Sequence, residues 1–395
     1  MDPYTDIIIH PLASSTRETH YLLFYNGQYY EVSHPIVELV TELQQKSTQK
    51  EAISSYIEKK KGKYSIEQVS HIIDKFITPI FIAKKSKKRT FLYEKELFSA
   101  SAIDRFSDMF RFLFNKVYLR MVFIVMLLMD FYFFFYTEGL LVFNNTMNAY
   151  SIISLLAFVL LSSFFHELGH ASACKYFEVK HGGIGFGLYL NFPVLYTDVT
   201  EVWKLNRKQR LVVNIAGVYF QSLCLIGLLV GFLLTGNSML RYLILIMNFG
   251  FLMTLNPFFK FDGYWIMSDL LGVPNLRSRS KELILYIYKR ICRQSVDKKP
   301  YLLLIRDTEK YGLLLYSVVV NLFMGMYFFY IIPKFLYHFI FSFPDEVQEL
   351  VMYLSNHLMP PFTLLHSIGM QLMFLALLGF LFTKLILLLK KYVKL

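Results

Sequence analysis

The sequence predicts a mainly α, polytopic helical membrane protein of about six spans, with a small α+β, winged-helix-like domain at its N-terminus. Three observations carry that prediction. Hydrophobic residues make up 55% and aromatic residues 17% of the 395-residue chain, more apolar than a soluble chain of this length. Several apolar runs reach the roughly 20 residues that a bilayer crossing needs. Lys and Arg crowd into alternate loops between those runs, the asymmetry that marks cytoplasmic segments.

The first element is the N-terminal domain, residues 1–90. Its opening, "MDPYTDIIIHPL", lacks a basic region followed by an apolar core, so no cleavable signal peptide is expected. "HYLLFYNGQYYEVS" reads as two aromatic-rich strands turning at Asn26-Gly27, the dipeptide favoured in type I′ hairpins. Helices follow near His34-Pro35, at Thr48 with Glu51 three residues on, and at Ser65 with Gln68 three residues on. The last two are capping-box patterns. A short "PIFIA" strand is expected to close the unit, and "KKSKKR" (84–89) opens a basic linker that continues through residues 91–116.

The membrane part follows. Spans are expected near 117–137, 150–173, 209–234, 241–267, 311–332 and 364–388. The first four make a core over 117–270, and 311–395 holds two C-terminal helices. Between them, 271–310 is a basic cytoplasmic segment; residues 277–310 carry ten Lys/Arg against four acids, suited to lying on anionic lipid. Loops 138–149, 235–241 and 333–362 contain only Arg241 and Lys334 as basic residues, which puts both termini in the cytoplasm. The net charge of +12 is therefore explained by topology and membrane lipid, with no nucleic-acid partner. Cys174, Cys224 and Cys292 are scattered, which argues against a disulfide framework or a thiolate metal site.

Two polar motifs interrupt the apolar spans at their cytoplasmic ends. "FFHELGHASACKYF" (164–177) follows the uncharged run 152–163. Ionisable groups there cost several kcal/mol unless paired or used. His166 and His170 are four residues apart, on one face of a helix, and can hold one metal. Glu167 can then hold a water as general base, the logic of a zinc hydrolase. A catalytic zinc needs a third protein ligand and an open position. Asp262, in "LNPFFKFDGYW" (255–265), is the favoured third ligand, since Pro257 breaks the helix and Gly263 permits a turn. Asp198 in "LYTDVTEVW" is the competing carboxylate. Asn256, Asn214 and Gln221 are candidates to bind the substrate carbonyl or the developing oxyanion.

These residues resemble a known family. "HELGH" on one span with "NPFFKFDG" on a later one is similar to the site-2 protease family of intramembrane zinc metalloproteases. "GIGFGLYLNFPVLYTDVTEVW", "NPFFKFDGYW" and "SDLLGVPNLR" bring the chain closer still to bacterial peptide zinc metalloproteases of the YydH type. The resemblance covers about residues 150–280 and implies His166, His170 and Asp262 as ligands and Glu167 as base. Many relatives carry Ala-Gly-Pro and then Asn two residues further on; here "AGVYFQ" has Val218 and Gln221. The segment "HGGIGFGLYL" (181–190) reads as an extended edge near another backbone, with Gly185 and Gly187 assigned to substrate contact by strand addition. In the family a re-entrant strand pair lies there. Over residues 20–80 the hairpin and three helices resemble a PqqD-like leader-recognition domain.

The expectation is an intramembrane zinc endopeptidase of a bacterial plasma membrane, cleaving a ribosomally synthesised, modified precursor peptide held by its leader. Candidate partners beyond the peptide and lipid are an exporter or a modification enzyme. One alternative keeps the chemistry and cleaves a membrane-anchored signalling protein; another is a non-proteolytic export or immunity component with a structural metal.

Overall fold

The computed structural model describes residues 4–82, 93–140, 149–189, 192–295 and 300–393. Strands β1 (Ile8–Leu12), β2 (His20–Tyr25) and β3 (Gln28–Ser33) form an antiparallel sheet in that order, with Tyr25 paired to Gln28 at the hairpin end. Asn26 and Gly27 take φ of 49° and 79°, the left-handed pair a type I′ turn requires. β1 was not foreseen: Pro11 disfavours a central strand, and here the strand lies at the sheet edge.

Helices α1 (His34–Gln45), α2 (Gln49–Lys59) and α3 (Ile66–Ile72) begin where the capping residues place them. Ser65 and Gln68 make a full capping box, whereas Thr48 accepts from the Glu51 amide alone. The strand expected from "PIFIA" is instead helix α4 (Thr78–Ile82), reached through a π turn over Ile73–Ile77. Packing overrides β-propensity there, because the helical path buries Ile73, Ile77 and Ile80 with Leu23, Leu39, Val40 and Val69. Leu22 and Leu23, on opposite faces of β2, are 5% and 0% exposed, so both sheet faces are covered.

The basic run 84–89 lies outside the described residues. The rest of the expected linker is structured from residue 93 onward, a correction to that reading. It holds β4 (Glu94–Phe98), α5 (Ala100–Phe110, capped by Ser99) and a 3₁₀ turn (Arg111–Phe114). Its charges misled: they occupy the outer side of α5, while Ile103 and Phe114 are each 2% exposed.

Among the described residues four stretches are long and apolar enough to cross a membrane. They are α6 (Lys116–Tyr136), α7 (Ala149–Tyr176, apolar from Ile153), α8 (Arg207–Thr235), and α12 (Asp307–Met326) continuing through a π turn into α13 (Ile332–Ser355). This is two fewer than expected. The fourth expected span is broken after α9 (Ser238–Thr254) by the Asn256-Pro257 turn and resumes as α10 (Asp262–Leu271). The last falls in α14 (Phe362–Val393), whose described apolar stretch is Thr363–Ala376. Helix α11 (Leu276–Ile291) occupies the basic segment.

The chain divides into two compact units. One comprises Met1–Arg89, Glu96–Gly185 and Leu195–Ser317; the other Thr90–Lys95, Phe186–Val194 and Val318–Leu395. In the first, α8 is the central element, touched by α6, α7, α9 and α10. Strands β5 (Ile184–Tyr189) and β6 (Phe192–Thr197) complete a second sheet of order β4-β5-β6.

Candidate metal centre

Helix α7 carries His166, Glu167 and His170 into the contact with α8. The imidazole Nε2 atoms of His166 and His170 stand 3.2 Å apart. Asp262, the first residue of α10, brings Oδ2 to 3.0 Å from one and 3.2 Å from the other. These three side chains are the described residues whose donor atoms converge as a metal cage would require.

The hydrogen bonds behind the rings decide what converges. His170 Nδ1 lies 2.7 Å from the Val213 carbonyl, which can only accept, so that nitrogen carries the proton. His166 Nδ1 lies 3.1 Å from Gln221 Oε1, and the Gln221 amide nitrogen donates to Ser162 Oγ at 3.0 Å, which fixes the amide the same way round. In its neutral form each ring therefore presents its Nε2 lone pair to the shared space. Asp262 Oδ2 is buried there and accepts a hydrogen bond from neither ring. Two imidazole nitrogens and a carboxylate oxygen, mutually close and without a donor among them, fit a divalent zinc ion of mixed N/O ligation.

Glu167 is 7% exposed, and its carboxylate lies within electrostatic reach of both imidazoles. Its backbone carbonyl accepts from Thr197 Oγ1 at 3.2 Å, tying β6 to the motif. Asp198 is not part of the cluster: its carboxylate caps Thr200, taking the backbone N–H at 3.0 Å and the hydroxyl at 2.5 Å.

Of the residues assigned to substrate, two have other tasks. Gln221 has both ends of its amide engaged, orienting His166. Asn214 donates at 2.7 Å to Asp269 Oδ2, inside a buried network that also holds Arg210 Nε at 2.6 Å from Asp269 Oδ1. Asn256 accepts from the Phe258 amide at 2.8 Å and so shapes the turn that delivers Asp262. Gly185 and Gly187 lie on β5, and the edge reading of that strand is corrected, because β4 and β6 flank it on both sides. The composition of β4, with three charges in "EKELF", concealed that partner.

Two glycines set the geometry: Gly263, whose turn the sequence suggested, and Gly217, which it did not single out. A Cβ on Gly217 of α8 would overlap the His166 ring. One on Gly263 would overlap the Leu255 carbonyl, at the end of α9, so its absence lets α10 start against that helix. The Ala-Gly pair at 216–217 was the available signal. The Lys175 ammonium at 2.5 Å holds the Asp104 carboxyl below its usual range and fastens the end of α7 to α5.

The chain is similar to a curated protein of Bacillus subtilis (strain 168) named "Putative peptide zinc metalloprotease protein YydH", at 25% identity over 123 residues. The match covers 31% of this chain and 49% of that relative, so it spans about half the relative's length. No family model matches the chain, and no solved structure does.

Proposed function

We propose that the chain is an intramembrane zinc endopeptidase that cleaves a precursor peptide at the membrane. The observation that carries this reading is the convergence of His166, His170 and Asp262 with Glu167 beside them on α7. The name of the Bacillus relative supports it.

In this reading His166 Nε2, His170 Nε2 and Asp262 Oδ2 hold the ion, and Gln221 and the Val213 carbonyl keep the two rings oriented. When bound, zinc supplies Lewis acidity, polarising a peptide carbonyl and bringing the pKa of a water to about 7. Glu167 would be the base that takes a proton from an attacking water. It then delivers the proton to the departing amine as the C–N bond breaks. Asn256, at the turn before Asp262, is the remaining candidate to hold the carbonyl oxygen.

The setting is a bacterial plasma membrane crossed by the long apolar helices, with both termini in the cytoplasm; the alternation of basic loops supports this. The substrate is a ribosomally synthesised, modified peptide, and the N-terminal sheet and helices take its leader as an added strand. An exporter or modification enzyme is the natural partner of such a step.

The test compares wild type with Glu167→Gln. Zinc content by atomic absorption should be equal in the two, and cleavage of a leader-bearing precursor, followed by mass spectrometry, should fall by at least about 10²-fold in the variant. Undiminished cleavage would remove Glu167 from the chemistry and the reading with it.

A further inference from the structure

We propose that Glu346, Ser367 and Gln371 form a binding site for a monovalent cation of the sodium class between α13 and α14. This site is separate from the zinc-ligand cluster and independent of the proteolytic reading.

The three side chains are joined by hydrogen bonds. Ser367 Oγ donates to Glu346 Oε1 at 3.0 Å, and Gln371 Nε2 donates to the same oxygen at 2.9 Å and to Ser367 Oγ at 3.2 Å. All the donors therefore gather on one carboxylate oxygen. The other oxygen, Glu346 Oε2, is buried and has no hydrogen-bond partner, and neither has Gln371 Oε1. Gln371 is 5% exposed, so water does not readily substitute. Turning the amide over would place its oxygen against an anionic carboxylate, so this is the orientation in which Gln371 supports the charge.

Buried acceptors without donors are rare and call for a partner. Here both orphans are oxygens, one anionic and one an amide carbonyl, held by side chains that already touch. An oxygen-only set selects a hard cation. Among the described residues no Lys, Arg or His forms an ion pair with Glu346, so an anionic carboxylate there has no positive partner. A single positive charge neutralises it within helices that are otherwise largely apolar. A divalent ion would leave excess charge in helices that are otherwise largely apolar.

The experiment uses the full-length protein in detergent, with NaCl replacing choline chloride at constant ionic strength. Wild type should gain about 3 °C in melting temperature along a saturating curve. Glu346→Gln, which keeps the shape and removes the charge, should show no sodium-dependent rise. Gln371→Leu should raise the half-saturating sodium concentration about tenfold. Absence of a rise in wild type, or an equal rise in both variants, overturns the proposal. So does a melting temperature that follows pH but not sodium, because a proton would then be satisfying the pair.

Discussion

Gly217 shows how one missing methyl group governs the candidate centre. It faces the His166 imidazole across the contact of α7 and α8, and a Cβ there would overlap ring atoms. Gly227, ten residues on in the same helix, has no atom within 4 Å of the equivalent position. Gly217→Ala should therefore weaken zinc binding, read by competition with a chelator, while Gly227→Ala leaves it unchanged. Equal affinities would mean the ring can shift without cost. Gln221 acts from behind the same ring, and Gln221→Leu should lower zinc affinity about 10–100-fold by freeing the imidazole to rotate. That His166 and His170 share one helix face was legible because four residues make about one helical turn. The roles of Gly217 and Gln221 were not, because they depend on which face of a second helix meets the first.

At the scale of elements, the caps and turns were the most legible features, since each is settled by neighbours in sequence. Asn26-Gly27, Ser65-Gln68 and the break at Asn256-Pro257 all act locally. Strands β1 and β4 and helix α4 were lost because tertiary packing decided them. The pairing of α1 with α2 adds a test. Glu42 is 2% exposed and is bonded to Lys59 and, at 2.7 Å, to Ser55. The bond from Lys59 holds its carboxyl below the ordinary 4.5, against the opposing effect of burial. A depressed folded pKa means that the stabilisation is present above the unfolded value and is lost as pH falls through the folded one. Hydrogen exchange in peptides from α1 and α2, corrected for intrinsic rates, should show protection falling below about pH 4.5. Glu42→Gln should lack that step.

At the scale of the molecule, a mainly helical chain with long apolar helices was legible from composition, but the number of such helices and the buried polar ties were not. Arg210 and Asp269 are 59 positions apart and no spacing in the sequence pairs them, yet their side chains meet at 2.6 Å and are 4% and 8% exposed. Asp269→Ala leaves Arg210 buried without its partner and should cost about 3–5 kcal/mol, seen as a lower melting temperature. Replacing both residues with Leu or Met should recover much of that loss, since paired removal leaves no orphaned charge.

The same tie reaches the start of the chain. Arg210 donates to the Ala13 carbonyl at 3.1 Å, Ser15 bonds to Gly272 and Leu271, and Arg17 bonds to the Leu304 carbonyl. Thr16 bridges Ile305. The stretch just after the first strand is thus bolted to elements 197 or more positions downstream. Cutting the backbone between the N-terminal helices and α5 would leave two pieces that travel together through a column. Trimming the first seventeen residues as a dispensable tail would unfasten α8, α10 and α12 instead.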